Sequence, residues 1–331
     1  MSPKILVVQP IPQRALDTLK ALGDVDVFDQ YRMPSRDELI ARIQHSDYIF
    51  NLGDVTIDAE IMDANPNLKG IATMAIAPTT IDVDHATERK ILVSHIPNIV
   101  YKSTADLTMA HIVGLAWRIA EADRFVRAHR FRQEQSPEFL GTSMEGKTLG
   151  FIGFGLVGQE VAKRARPFGF NMIYTKRTRL SSDEEQALDV AWVDGNDEVL
   201  QQSDFFCLVA GYNPSTHLMI GARELALMKP TAFFINTARG RIVDEEALVA
   251  ALRDGRIAGA GLDVFWNEPP VSEPAPHPEL LKMDNVLLTG HIGTATAEMR
   301  DEMAMITAQN IAAMIKGERP PNLWNDAAFD A

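Results

Sequence analysis

Thr148-Leu149-Gly150-Phe151-Ile152-Gly153-Phe154-Gly155-Leu156-Val157-Gly158 decides how this chain is read. The first five residues form the apolar run of a buried strand. The next six spell G-x-G-x-x-G, and Gln159 to Arg166 has helical composition until Pro167-Phe168-Gly169 stops it. A strand, a glycine turn and a helix in that order form a cradle for a dinucleotide. Gly153 permits the tight turn, Gly155 lets backbone approach a pyrophosphate, and Gly158 lets helix and strand pack closely. Free N–H groups at the helix start then face the phosphates.

Downstream of the cradle, the acidic residue that usually binds the ribose hydroxyls is missing. It is expected about 20 residues on, at the end of the next strand. Here the strand Asn171 to Thr175 runs into Lys176-Arg177-Thr178-Arg179. A carboxylate there would repel a 2′-phosphate, whereas ammonium and guanidinium groups pair with it. NADP(H) is therefore the preferred cofactor and NAD(H) stays open, with a merely solvated basic turn as the competing reading.

Composition narrows the partners. The 331 residues carry a net charge of −13, with 46% apolar and 23% charged residues. That length suits two domains with separate cores. The acidic balance argues against a nucleic-acid partner, which wants a basic face. The lone Cys207 lies in the apolar run Phe205 to Val209, can form no internal disulfide, and suits a reducing cytoplasm. No Cys/His cluster has zinc spacing, so no metal is expected. The start Met1-Ser2-Pro3-Lys4-Ile5 does not resemble a signal peptide, and no stretch is long enough to span a membrane.

Outward from the fingerprint, the first hundred residues alternate strands with helices. Strands are expected at Lys4 to Val8, Val25 to Phe28, Asp47 to Asn51, Leu68 to Ala75 and Ile91 to Ser94. Helices are expected at Gln13 to Leu22, from a Ser35/Glu38 capping box to Ile43, and at Ile81 to Arg89. A long apolar helix is expected over Ser103 to His129, bracing two domains, followed by a loop over 131–146. Strands then fall near Phe205 to Val209, Ala232 to Asn236, Gly259 to Val264 and Val286 to Thr289. Helices follow at Asp244 to Arg253 and Ala297 to Ile315, with regular structure ending at Pro320-Pro321. The fold class is α/β: two doubly wound parallel sheets. A substrate domain takes residues 1–100 and 298–331, a Rossmann cofactor domain takes 101–297, and a cleft is expected between them.

Three segments at strand ends carry candidate chemistry. They are Asn236-Thr237-Ala238-Arg239-Gly240, Asp263-Val264-Phe265-Trp266-Asn267-Glu268-Pro269-Pro270, and Thr289-Gly290-His291-Ile292-Gly293. Open α/β sheets bind ligands beyond the carboxyl ends of their strands. An arginine can hold a carboxylate in bidentate fashion and polarise the neighbouring carbonyl. A histidine exchanges the hydroxyl proton near neutral pH, and a glutamate on its other ring nitrogen favours the protonated form. Arg239, Glu268 and His291 thus suit reduction of a 2-oxo acid. Singly each has a structural reading, His291 between glycines and Glu268 before a proline pair; together, below a fingerprint, they form a set.

The order and content of these motifs resemble the D-2-hydroxyacid dehydrogenases, a family that includes phosphoglycerate, D-lactate and formate dehydrogenases and glyoxylate/hydroxypyruvate reductases. The resemblance covers nearly the whole chain, including Thr104-Ala105-Asp106-Leu107 on the long helix. It implies Arg239 for the substrate carboxylate and carbonyl, His291 as acid/base, and Glu268 as its partner. It implies cofactor contacts at Thr104, Leu156, Val157, Ala210, Thr237 and Gly293, with Asp263 holding the nicotinamide carboxamide. It also implies a homodimer. Where the family commonly has Gly-Val-Gly before the substrate, this chain has Ala75-Ile76-Ala77-Pro78, with Met74 beside the pocket. The N–H groups of Ile76 and Ala77 are still expected to bind a carboxylate in a narrower pocket. Thr79 stands where Asp is common, and Gly211 replaces a common proline. Lys176 stands where NAD-preferring relatives place Asp, as in the NADPH-using glyoxylate/hydroxypyruvate reductases.

The expectation is an NADPH-dependent reductase of small 2-oxo acids, glyoxylate and hydroxypyruvate first and bulkier acids such as phenylpyruvate second. Two alternatives stand beside it. One is an NAD-dependent oxidative enzyme acting on a phosphoglycerate-like acid, although the 74–79 loop offers no cation for a phosphate. The other is a nucleotide-sensing regulator resembling the family's corepressors.

Overall fold

The computed structural model describes residues 2–131, 139–268 and 275–330, so the middle of the loop expected over 131–146 and the Pro269-Pro270 pair lie outside the described residues. The chain divides into two compact units. One takes residues up to Ile99 and from Ala295 onward; the other takes Val100–Glu268 and residues up to Thr294.

The first unit is built on five parallel strands: β1 (Lys4–Val7), β2 (Asp24–Val27), β3 (Tyr48–Asn51), β4 (Gly70–Thr73) and β5 (Leu92–Ser94). Their order is β2-β1-β3-β4-β5, the flavodoxin-like arrangement. β3 and β4 are buried along their whole length, as strands covered on both faces must be. The capping box forms: Ser35 Oγ accepts from the Glu38 N–H, and the Glu38 carboxylate accepts from the Ser35 N–H. Helix Ala297–Lys316 packs on β3, β4 and β5, with Met314 filling the space where a Gly70 side chain would stand. Two short helices, Ala59–Asp63 and Asp326–Phe329, were not expected. The second follows Pro320-Pro321 because Asn325 anchors it, donating to the Ile91 carbonyl and accepting from the Val93 N–H of β5.

The second unit holds seven parallel strands: β6 (Thr148–Ile152), β7 (Asn171–Thr175), β8 (Val190–Trp192), β9 (Phe205–Leu208), β10 (Phe233–Asn236), β11 (Gly259–Leu262) and β12 (Val286–Leu288). Their order, β12-β11-β10-β9-β6-β7-β8, is the doubly wound Rossmann order with a seventh strand added. Strand order reverses between β6 and β9, and the fingerprint leaves β6 at that point. Its helix, Leu156–Ala165, starts directly after the second glycine.

The helix expected over Ser103 to His129 is two helices, Tyr101–Ala116 and Ile119–Arg127. Composition gave no hint of the break, because its cause is a distant segment. The Thr142 N–H bonds the Ala116 carbonyl at 2.7 Å, capping the first helix, and Arg118 takes a left-handed φ of 53°. Arg118 then closes on Glu121 in bidentate fashion at 2.8 and 2.7 Å. The first helix packs on Leu156–Ala165 and on the edge of the sheet from β10 to β12.

Gly153 is where the fold is least tolerant. Its φ is +76°, and a Cβ there would stand 2.6 Å from the Ala210 Cα. Gly153→Ala is expected to cost about 2 kcal/mol or more, from left-handed strain and a backbone clash together. A thermal midpoint equal to wild type in calorimetry would show that the turn relaxes freely.

Candidate active site

Two clusters assemble at the carboxyl ends of the second unit's strands. The first is the fingerprint turn. Gly153 donates to the Thr175 carbonyl at 3.0 Å, tying the turn to the end of β7. Open space lies where a Gly155 Cβ would project, while a Gly158 Cβ would press on Phe154 and Val209 at 2.9 and 3.2 Å. Gly155 caps the helix without a side chain, so the N–H groups of Leu156 and Val157 stay open for an anion. These are the three properties a dinucleotide cradle requires, and the residues present fit that group. At the end of β7 the basic turn divides in two. Arg179 is committed to Glu185 at 2.8 and 2.7 Å and lies over Trp192. Lys176 and Arg177 make no ion pair among the described residues, although Glu184 feels the charge of Lys176.

The second cluster pairs His291 with Glu268. His291 has a left-handed φ of 54°, and its N–H bonds the Asp263 carbonyl at 2.8 Å. Its Nδ1 meets Glu268 Oε2 at 3.2 Å, and Glu268 Oε1 accepts from the Phe265 N–H at 3.0 Å. The carboxylate is thus fixed at both oxygens. It holds the imidazole above the usual histidine range, against the opposing pull of burial and of the Arg239 charge. Nε2, the other ring nitrogen, is left for a reacting oxygen. Arg239 is exposed, with Nη1 bonded to the Ala238 carbonyl at 2.6 Å. Its backbone is set by buried Asn236, which donates to the Arg239 carbonyl and accepts from the Ala238 N–H.

Beneath the histidine lies a carboxylate that is 1% exposed. Asp263 Oδ1 accepts from Thr289 Oγ1 at 2.6 Å and from the Ile292 N–H at 2.8 Å; Oδ2 accepts from the Gly293 N–H at 3.1 Å. The Thr289 hydroxyl is also 2.8 Å from His111 Nε2. A hydroxyl has one proton, and this one goes to the carboxylate, so His111 Nε2 must be the donor. Burial pushes the His111 imidazole down to about 4, so it is neutral at working pH. Its buried Nδ1 lone pair has no partner and lies against Gly261, where a Cβ would stand 2.6 Å away.

Among the expected residues, Thr104 stands at Gly293, whose N–H bonds this carboxylate. Thr104 Oγ1 lies 3.4 Å from the Gly293 carbonyl, and Thr237 Oγ1 lies 2.8 Å from Thr108 Oγ1. Ala210 sits against Gly153. Ile76 and Ala77 belong to the first unit and are described there alone. Their N–H groups donate no bond among the described residues, while the Ile76 carbonyl accepts from His95 Nδ1 at 2.9 Å. Met74, expected beside the pocket, is buried at 3% exposure, and its N–H extends the β3–β4 pairing by bonding the Asn51 carbonyl. Sequence reasoning missed Thr108, His111 and Thr289. Thr108 lies one turn beyond Thr104 on the same helix, which was a usable signal. Among the described residues, no group of three His, Cys, Asp or Glu comes together to hold a metal, and no helix is long and apolar enough to cross a membrane.

Residues 109–293 match the family "D-isomer specific 2-hydroxyacid dehydrogenase, NAD binding domain". The chain is 41% identical over 329 residues to a glyoxylate reductase of Thermococcus litoralis, covering 98% of this chain and 97% of the relative. A crystal structure of a putative D-isomer specific 2-hydroxyacid dehydrogenase from Polaromonas sp. JS6 66 superposes with a TM-score of 0.91 at 31% identity, covering 98% of this chain and 100% of the other. The NADPH-dependent glyoxylate/hydroxypyruvate reductase of Sinorhizobium meliloti, solved with NADP and malonate, gives 0.78 at 27% identity, covering 99% and 98%.

The buried network makes a stability prediction. Thr289→Val removes the hydroxyl between two buried polar groups, leaving His111 Nε2–H and one Asp263 lone pair unmet. The expected cost is about 1–3 kcal/mol. Thr289→Ser should restore most of it in chemical denaturation, and equal stability of the Val and Ser variants would refute the relay.

Proposed function

As a chain that belongs to the D-isomer specific 2-hydroxyacid dehydrogenase family, this protein is an NAD(P)-dependent 2-oxo acid reductase, and we propose that it reduces glyoxylate and hydroxypyruvate with NADPH as preferred reductant. The observation that carries the reading is the Glu268–His291 pair, fixed at 3.2 Å, with the Arg239 charge close enough to oppose protonation of the imidazole. The nicotinamide, when bound, supplies the hydride to the 2-carbon. Arg239 holds the substrate carboxylate and polarises the adjacent carbonyl. His291 gives its Nε2 proton to the carbonyl oxygen as the hydroxyl forms, while Glu268 stabilises the ring that carries that proton. The unpaired N–H groups of Ile76 and Ala77 are the proposed second contact for the carboxylate. The methyl groups of Ala75 and Ala77, and the ring of Pro78, favour small acids over bulky ones.

Support for NADPH comes from Lys176 and Arg177, two cations with no ion-pair partner among the described residues at the end of β7. The S. meliloti relative is NADPH-dependent by its own description. Leu156 and Val157 offer backbone to the pyrophosphate, and Thr104, Ala210, Thr237 and Gly293 line the cofactor. Asp263 has a fourth lone pair left for the carboxamide. Within this reading, residues 1–100 with 298–331 bind substrate and 101–297 bind the dinucleotide. A cytoplasmic setting suits buried Cys207, whose thiol is pushed up by burial. Homodimerisation is supported by exposed apolar side chains at Trp117, Ile119, Val126, Phe131 and Leu140. Leu140 also lines a hollow of about 420 Å³ together with Leu115, Val286 and Leu287.

Initial rates with glyoxylate, hydroxypyruvate and phenylpyruvate, each with NADPH and NADH, test the proposal. NADPH preference with the two small acids ahead is expected; NADH preference or phenylpyruvate first would overturn the cofactor or the substrate assignment. Lys176→Asp should move the preference toward NADH by at least about tenfold. His291→Gln should bind cofactor yet reduce about 100-fold or more slowly. Because reduction needs protonated His291, kcat should hold at low pH and fall as pH rises through the raised value of that imidazole. A rate that rises across the same range would remove the proton-donor role.

A further inference from the structure

Two successive N–H groups in the turn after β11 are taken by two different carboxylates. Phe265 donates to Glu268 Oε1 at 3.0 Å, and Trp266 donates to Glu245 Oε1 at 3.2 Å. Glu268 is part of the turn itself. Glu245 comes from elsewhere: it is the first residue of helix Glu245–Arg253, whose N-cap Asp244 bonds the Ala247 N–H. The connection is short. That helix follows β10 through Arg239 and Gly240, and the missing Gly240 side chain lets the Phe265 carbonyl lie directly on this segment. The exits of β10 and β11 therefore pack as one block that carries Arg239, Glu245 and Glu268. The two carboxylates are close enough for Glu268 to raise the Glu245 carboxyl, although burial is the larger cause. Glu246 pushes the same way, and the Trp266 N–H and His277 oppose it.

We propose that Glu245 is a positioning residue of the acid/base pair: it clamps the tip of the Phe265–Glu268 turn, and its negative charge beside Glu268 strengthens the carboxylate's hold on the His291 Nδ1 proton. No interaction between Glu245 and His291 is needed, because both effects pass through Glu268. The groups facing Glu245 are His277, Glu246 and Glu268; those facing His291 are Glu268, Arg239 and Asp263. Removing the Glu245 charge weakens the negative field around the Glu268–His291 contact and lowers the pH at which His291 gives up its proton. Removing the acceptor as well frees the Trp266 N–H and lets the turn drift, so that Glu268 meets the imidazole less often in bonding geometry. The inference rests on the reductase reading, yet it has a readout that does not require turnover.

The experiment compares wild type, Glu245→Gln and Glu245→Ala as full chains. His291 is titrated by NMR, its signal among the eight histidines identified by its absence from His291→Gln. Glutamine keeps the acceptor for Trp266 and loses the charge. It should lower the His291 midpoint by about half a pH unit and reduce plateau kcat by no more than about twofold. Alanine should lower the midpoint as much and cut kcat about tenfold, with cofactor affinity unchanged. An unmoved midpoint in both variants overturns the electrostatic role. Equal plateau rates in the two variants overturn the clamp. Absence of wild-type turnover on every 2-oxo acid would sink the reductase reading, while the titration still decides the role of Glu245.

Discussion

An ionisable carboxylate sealed from water must find its donors or the structure around it cannot stand. Asp263 is that group, and what surrounds His291 follows from satisfying it. Among the described residues, no cation bonds it directly. Its partners are one hydroxyl and two backbone N–H groups, all from the segment Thr289–Gly293. To bring those donors to one carboxylate, the chain must turn sharply after β12, and His291 at the bend takes a left-handed φ. A non-glycine residue in that region costs of order 1–3 kcal/mol unless its surroundings over-determine it. Here they do: the His291 N–H is held by the Asp263 carbonyl and the next two N–H groups by its side chain. The imidazole points where it does because a neighbour's charge has been paid for in backbone hydrogen bonds.

The same economy of donors explains why so much of the site is backbone. Asn236 fixes the Ala238–Arg239 peptide, Glu268 and Glu245 fix the Phe265–Trp266 peptides, and His95 fixes the Ile76 carbonyl. In each case a side chain one layer below the surface restrains a loop by bonding its main chain. The side chains those loops present are then free of structural duty. Arg239 shows this well: among the described residues its terminal nitrogen bonds only the carbonyl before it, leaving the guanidinium otherwise open. Among the described residues Lys176 and Arg177 share that freedom, whereas Arg179, two residues on, is engaged with Glu185 and Trp192.

Much of this was legible in the residues, and the rest was hidden for identifiable reasons. The strand–glycine–helix unit could be read because its three glycines each answer a local steric need. Long buried strands could be read because parallel sheets demand uninterrupted apolar runs. β8 was missed: it has three residues, and its middle one, Ala191, is exposed. The break at Trp117-Arg118 was missed because a segment some 25 residues later ends the helix by capping Ala116. His111 looked like one more residue of an apolar helix. Only the meeting of that helix with β11 and β12 turns it into a hydrogen-bond donor, a relation no spacing encodes. Of the basic turn, sequence gave the charge but could not say which cations were already committed.

The first unit's discontinuity has a consequence for how the protein is made. Its sheet is complete once residue 94 has been added, but one face of β3, β4 and β5 is covered by a helix that begins at Ala297. Edge strand β5 likewise gets a partner for its Val93 N–H only from Asn325. During synthesis, at roughly 5–20 residues per second, this sheet therefore waits about ten seconds or longer with apolar surface and an unpaired edge exposed. Over the same interval the seven-stranded unit emerges in one nearly continuous piece. The second unit completes its own sheet only when β12 emerges, just before the helix that covers the first, so both units finish folding almost together at the end of synthesis.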